Sequence, residues 1–359
     1  MSGAANFTGN VRIGTTAPVA RLHVAGTTGS DGIMFPDGSL QTSAAPAARQ
    51  PQGRLTLTTG KPVMIADSSG ATIIYYDCYL GNAVPVYNGA DSGYLKIAAC
   101  EIALTLNASQ QLSGNLYDIF AINASGVLTL CAGPAWSSAT SRGTGAGTTQ
   151  IHNTVTGYWT NQNALTTCYA GTTNYGSIPV DRATYLGTLY ATANGQTSMQ
   201  LKPTAINGGT NNFAGLYNAY NRVPTIIMCK DNTAAYGLSS ANTWLAADTS
   251  TSNRITFVDG LQQSPLDGTF QTTIDTISSY SHSIGINLDS TTAAPVVAST
   301  GNNTGGSWFQ ITLNVADNFY PQLGLHYLQA MEFYMTGSNF QPRNSGVATG
   351  FQLKLRIDM

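Results

Sequence analysis

No stretch of this 359-residue chain sustains the 3.6-residue apolar period of an amphipathic helix; apolar residues recur instead at alternate positions, in short runs cut by turn residues. Leu55/Leu57, Ile102/Leu104/Leu106, Ile255/Phe257 and Phe309/Ile311/Leu313/Val315 alternate, while Ile73 to Tyr76 and Val84 to Tyr87 form short apolar runs. Alternate residues of an extended chain face opposite sides of a sheet, so each run supplies one side for burial. Tyr117 to Asn123, a turn at Ala124-Ser125-Gly126 and then Val127 to Leu130 read as a hairpin. Thr184 to Thr192, turning at Asn194-Gly195 into Thr197 to Leu201, reads as a second. The pattern predicts an all-β chain whose body is an antiparallel sandwich or jelly roll. The lack of a fixed repeat argues against a solenoid β-helix.

Charge narrows the class of partner. Charged residues are 9% of the chain and the net charge is −2, with no basic run, which removes the electrostatic basis for binding nucleic acid. No apolar run is long enough to cross a membrane as a helix, and Met1 to Asn6 lack the basic and apolar regions of a signal peptide. Large neutral surfaces suit permanent self-association. Five cysteines, Cys78, Cys100, Cys131, Cys168 and Cys229, are widely spaced without a C-x-x-C pair. An odd count of this kind predicts reduced, buried thiols rather than a disulfide framework or a zinc site.

Residues 1–43 carry too few apolar positions for a core of their own. Val11/Ile13 and Leu22/Val24 flank a Gly- and Pro-containing break, and Ile33, Phe35 and Leu40 flank the Pro36-Asp37-Gly38 corner. This reads as an assembly or anchoring arm whose order depends on neighbours, with those seven apolar residues as its contacts. Residues 44–53, rich in Ala, Pro and Gln, read as an extended linker. The rest is a β-rich body, either two sandwich regions, 54–180 and 181–359, or one large domain over 54–359.

The arm's I-G-T-T-A-P-V-A-R-L-H-V, Ile13 to Val24, and its F-P-D-G-S-L-Q-T-S-A, Phe35 to Ala44, resemble N-terminal elements of bacteriophage fibres and other virion appendage proteins. R-L-T-L-T-T-G-K-P-V from Arg54, the run Gly133 to Thr149, L-Y-N-A-Y-N-R-V from Leu216 and L-G-L-H-Y-L-Q-A-M-E from Leu323 resemble a family of phage structural proteins. The resemblance implies a virion component assembled in a bacterial host cytoplasm. It also implies a homotrimer and contacts with other head or tail proteins.

Signals for chemistry are sparse. The Gly-rich run Arg142-Gly-Thr-Gly-Ala-Gly-Thr-Thr lacks the Lys-Ser/Thr ending of a phosphate loop and reads as a sheet corner. His23, His152, His282 and His326 show no metal-ligand spacing, and His326 reads as a packed or hydrogen-bonded histidine. Glycoside cleavage needs two carboxylates at a defined separation. Asp77, Asp118, Asp231, Asp259, Asp289 and Glu332 are available, and most sit beside turns where an aspartate caps its own backbone. The expectation is therefore no catalytic residue, no metal and no cofactor. Tyr158, Trp159, Tyr175, Tyr236 and Trp244, set among Thr, Asn and Gly, are candidates for stacking on a sugar. The same rings equally suit sandwich cores and subunit seams. The function expected is a fibre or spike subunit, docked through its arm, whose body contacts a host-surface glycan. The alternatives are a capsid cement or decoration protein and, third, a polysaccharide depolymerase.

Overall fold

The computed structural model describes residues 11–13, 15–17, 22–24, 33–34, 40–41, 50–90, 92–233, 242–276, 280–303, 309–335 and 351–359. The chain divides into two compact units, 1–49 and 50–359. In the first, Val11–Ile13 runs parallel to Leu22–Val24, and Ile33–Met34 pairs antiparallel with Leu40–Gln41. Among the described residues no strand there exceeds three residues, and Ile13 is 58% exposed.

The second unit is built of predominantly antiparallel sheets, as the alternation predicts, with one parallel pairing of Asn212–Ala214 with Arg254–Asp259, and its helical elements among the described residues are two single turns, Ala98–Cys100 and Ala247–Thr249. One eight-stranded sheet centres on Leu116–Ala124, flanked by Val127–Ala135 and Ala183–Tyr190. A three-stranded sheet, in the order Glu101–Thr105, Ile73–Cys78, Gly53–Thr56, and the hairpin of Ala83–Tyr87 with Ser92–Lys96 pack over it. A second eight-stranded sheet centres on Gly324–Tyr334, with Arg254–Asp259 and Tyr280–Leu288 on its two sides. It packs against a four-stranded sheet ordered Pro224–Cys229, Gln352–Asp358, Leu266–Thr276, Phe309–Phe319, which completes a sandwich. Within Phe309–Phe319, Leu313 and Val315 are buried while Thr312, Asn314 and Ala316 face out, the period-two pattern made physical. Ala183–Tyr190 is hydrogen-bonded to Leu116–Ala124 along its length, so one sheet takes strands from both sides of residue 180.

The hairpin at Ala124-Ser125-Gly126 forms as expected, with Ser125 and Gly126 both at positive φ, the backbone of a two-residue turn matched to strand twist. The second hairpin does not. Asn194-Gly195 does turn the chain, but Ala183–Tyr190 and Thr197–Met199 part into different sheets. Segment 111–115 takes the backbone partners that the returning strand would use: Ala191 N–H donates to Asn115 O, Gly114 N–H to Ala191 O and Gly195 N–H to Gln111 O.

The cysteine expectation is also overturned. Cys78 is bonded to Cys100 and Cys131 to Cys168, leaving Cys229 as the free, buried thiol. The partners are 22 and 37 residues apart in sequence, yet their Cα atoms lie 5.0 and 5.2 Å apart, inside the range a disulfide requires. Strand pairing, which the spacing of cysteines does not encode, brings them together. Closing loops of these lengths is worth roughly 3–4 kcal/mol each in the chain-entropy description.

A buried ion pair joins three segments to the first large sheet. Asp118, in Leu116–Ala124, is fully buried; its Oδ2 accepts from Arg142 Nε at 2.6 Å and its Oδ1 from Arg142 Nη2 at 3.0 Å. Thr188 Oγ1 donates to Oδ1 at 2.7 Å, and Thr149 Oγ1 donates to Oδ2. Arg142 Nη2 also donates to Gly260 O at 2.8 Å, and the guanidinium lies over the rings of Trp136, at 4.2 Å, and Tyr185, at 5.2 Å. A Cβ on residue 260 would sit 2.2 Å from Tyr185 Oη and 2.7 Å from Thr188 Oγ1, so only glycine lets that carbonyl approach. The Gly-rich run is thus a sheet corner that delivers Arg142 inward.

Two outcomes follow from this architecture. Thiol titration in denaturant without reductant should find one reactive cysteine, and five after reduction; five without reductant would remove both bridges. Arg142→Ala strands the Asp118 carboxylate in the interior, and breaking a buried pair from one side costs about 3–5 kcal/mol. Chemical denaturation should show that loss, and a paired Asp118→Leu/Arg142→Met variant should lose much less than the two single changes together.

Candidate functional site

The body carries an open groove of about 600 Å³ between strand Glu101–Thr105 with its following turn and the Tyr169–Ala170/Thr173–Asn174 hairpin. Ala103, Thr105, Leu106, Asn107, Ala108, Ala170, Gly171 and Thr172 line it. Gly171 N–H donates to Thr105 O at 2.8 Å and Asn107 Nδ2 to Gly171 O at 2.9 Å, tying the two walls. Asn107 is itself held: its N–H donates to Gln111 Oε1 at 2.7 Å and its Oδ1 accepts from Ser109 N–H at 2.8 Å. Small side chains leave the backbone accessible, and no ionisable residue is among the lining. This surface is suited to neutral polar contacts and lacks the acid and base that hydrolysis requires.

Tyr175 stands next to this hairpin, 37% exposed, with its N–H donating to Cys168 O at 2.9 Å. Among the four aromatic candidates in the described residues it is the exposed one. Tyr158 is corrected to a core residue: it is 2% exposed, packs with Phe120, Ile122 and Tyr185, and its hydroxyl hydrogen-bonds Ser92 Oγ at 3.0 Å. Its Thr- and Asn-rich neighbours in sequence are inward-facing too, since Thr160 and Asn161 are fully buried and hydrogen-bonded. Trp159 is half-buried against the same cluster, and its N–H donates to Tyr220 Oη at 2.8 Å. Trp244 is half-buried and lies 5.4 Å from the Phe333 ring. Tyr236 lies outside the described residues. In the arm, Val11 is half-buried, Leu22 and Val24 lie in one short ladder and Ile33 and Leu40 in another; Phe35 lies outside the described residues.

Among the described residues, carboxylates meet in two places. Asp231 Oδ1 accepts from Gly208 N–H at 3.1 Å, Thr233 N–H at 2.7 Å and Thr233 Oγ1 at 2.6 Å; its Oδ2 accepts from Asn253 Nδ2 at 2.7 Å. Asp248 Oδ2 also lies 2.8 Å from Thr233 Oγ1. Burial, set against that hydroxyl and reinforced by Asp231, raises Asp248 to about 6. The Thr233 hydroxyl touches both acids, which also lie within hydrogen-bonding reach of each other. Asp77 and Glu101 face each other across paired strands, within hydrogen-bonding reach. Glycosidases hold their carboxyl groups about 5 Å or more apart, with the sugar between them, so neither pair has that geometry.

Two histidines are tied to aspartates. His152 Nε2 lies 2.5 Å from Asp181 Oδ1, and Thr160 Oγ1 donates to the same oxygen at 2.8 Å, which binds a short hairpin to the following turn. His326 is packed and hydrogen-bonded, its Nδ1 2.5 Å from Asp289 Oδ2 and its Nε2 3.1 Å from Leu323 O. His282 is buried, which pushes it down to about 3. Among the described residues no group of three or more metal-ligating side chains converges.

No family model matches the chain, and no curated protein matches it. Among solved structures it is similar to a Bacillus thuringiensis Cry1Da tryptic core variant, at 8% identity and a TM-score of 0.18, over 81% of this chain and 48% of that one. The chain thus spans about half the length of that structure, and a likeness this low carries no argument about fold or function.

His326 gives this region a pH signature. Burial alone lowers its affinity for a proton, but the Asp289 carboxylate and the Leu323 carbonyl more than offset that, and the net shift is upward from 6.5. A histidine raised in the folded state contributes stability that is fully present below the unfolded value and is lost as pH rises through the folded one. Thermal unfolding of wild type and His326→Gln should therefore differ most below about pH 6.5 and converge above the folded value, monitored from pH 5 to about 9. A difference that grows toward alkaline pH would show that the imidazolium is not the stabilised form.

Proposed function

We propose that the chain is a structural subunit of a bacteriophage appendage, a fibre or spike, anchored through residues 1–43 and presenting its β-rich body to a neutral host-surface glycan. The observation that carries this reading is the contrast between the two units. Among the described residues of 1–49 the ladders are two or three residues long and Ile13 is more than half exposed, whereas 50–359 bury an extensive apolar core. A segment whose sequence offers so few apolar residues gains stability from partners, and its I-G-T-T-A-P and F-P-D-G elements resemble those of virion appendage proteins. Low charge suits assembly through neutral polar and aromatic contacts, and the trimeric state comes from the fibre resemblance.

For the body, support comes from the uncharged groove beside Tyr175. Amide and hydroxyl groups, with the exposed Tyr175 next to the groove's hairpin in the chain, are the donors, acceptors and aromatic surface that a neutral sugar uses. The depolymerase reading has no support in this groove, whose lining holds no carboxylate.

Virions assembled with a chain lacking residues 1–43 should carry no body at the appendage position, while the truncated body remains folded by circular dichroism. Full occupancy would show that the arm is not the anchor. In the intact chain, Tyr175→Ala and Thr172→Lys should each weaken adsorption of purified full-length protein to host cells by about tenfold, since stacking and hydrogen-bond contacts are worth ~1 kcal/mol or more apiece. Unchanged adsorption in both would place glycan contact elsewhere.

A further inference from the structure

The Asp77 carboxylate is the least explained group in the body. Residue 77 is 2% exposed and both of its carboxylate oxygens are buried without a well-formed hydrogen bond, the nearest polar groups being the Glu101 carboxyl and the Lys61 amide. An ionised carboxylate left this way is costly, because burial removes its water and the Lys61 amide replaces little of it. Its ladder partner makes matters worse. Glu101 lies directly opposite on the adjacent strand, and like charges so placed repel. Arg54, opposite Asp77 on the other side, gives its guanidinium away to the carbonyls of Pro62, Asn221 and Met359. The Lys61 amide, whose own hydrogen bond runs to Thr58 O, adds only a dipole. Among the described residues neither acid belongs to an ion pair.

Two further features hold the acids in place. The disulfide Cys78–Cys100 joins the residue after Asp77 to the residue before Glu101, so the strands cannot slide to separate the charges. Glu101 Oε2 accepts from Thr59 Oγ1 and from Gly60 N–H, each at 2.7 Å, which fixes its carboxylate facing Asp77. A carboxylate oriented by outer hydrogen bonds, facing a second one whose oxygens are unused, is how proteins prepare a metal ligand set.

We propose that Asp77 and Glu101 form a binding site for a divalent cation of the calcium class, which bridges the two strands at the edge marked by the Cys78–Cys100 disulfide. Oxygen is the only donor type offered, which selects a hard cation over zinc or copper. Two carboxylates leave most coordination positions to water and backbone oxygen, so the site belongs to the weak range, with half-saturation at roughly 10⁻⁴–10⁻³ M. The competing answer to the same repulsion is a proton. Burial, then Glu101, raise Asp77 to about 6, so acid relieves the strain without any ion and should weaken cation binding.

The test uses the full-length chain, stripped of metal with a chelator, at pH 7.5. Calcium chloride titrated to about 10 mM should raise the midpoint of thermal unfolding in a saturable way within the range above. Terbium should bind competitively with calcium and show luminescence sensitised through the neighbouring Tyr75 and Tyr76. Asp77→Asn and Glu101→Gln should each weaken both responses at least tenfold, whereas Asp317→Asn, on a distant strand, should leave them unchanged. Glu101 is half-buried rather than interior, so Glu101→Gln keeps the test valid if the change at Asp77 disturbs folding. The proposal is overturned if calcium shifts nothing up to about 10 mM, if the variants respond as wild type does, or if stability follows pH alone.

Discussion

A charge removed from water must be answered inside the protein, and the Arg142–Asp118 pair shows how much structure that answer can require. Asp118 sits mid-strand at the centre of one large sheet; its counter-charge comes from a loop, its hydroxyl donors from that loop and the neighbouring strand, and the last acceptor for the guanidinium from Gly260, just past a strand of the other large sheet. Aromatic rings of Trp136 and Tyr185 cover the cation and exclude solvent. Each of these groups has its place because the others do. The network contributes less through net energy, which desolvation largely cancels, than through uniqueness, since no slipped register satisfies the same buried charges.

Much of the fold is legible in the sequence because alternation is a local property. The outward Thr312, Asn314 and Ala316 against inward Leu313 and Val315 can be read without knowing any neighbour, and so can the Ser125-Gly126 turn. What stayed hidden depends on topology. Asn194-Gly195 looks like a hairpin and turns the chain as one, yet the strands separate because residues 111–115 compete for the same backbone groups. The cysteines looked unpaired because their spacing carries no sign that strands Ile73–Cys78 and Glu101–Thr105 lie side by side. Tyr158 misled for a related reason: polar neighbours in sequence suggested solvent, but in a sheet buried on both faces threonine and asparagine are hydrogen-bonded inside as well.

The candidate site was less legible than the fold. Its groove is made largely of backbone and small side chains from two segments some sixty residues apart, and neither segment carries an unusual residue. Tyr175 could be singled out as an aromatic in a polar turn, but nothing in its sequence context distinguished it from Tyr158. The Asp77–Glu101 pair was invisible for the reason the cysteines were, and the same strand pairing explains both. A sequence with few charges makes such pairs more informative, since each acidic residue that is buried without a partner stands against a largely neutral background.

Arg54 has a mechanical consequence. In the body's first strand, its guanidinium bonds the carbonyl of Met359, which also exchanges backbone hydrogen bonds with Val223. Tension transmitted along the chain into residue 50 therefore does not meet a loose end that peels one residue at a time. It meets a clasp joining the opening strand to the closing one, with Asn221 and Pro62 gripping the same cation. Rupture then requires several bonds to fail together, which makes the onset of unravelling abrupt and leaves the sheets behind it intact until the clasp gives way.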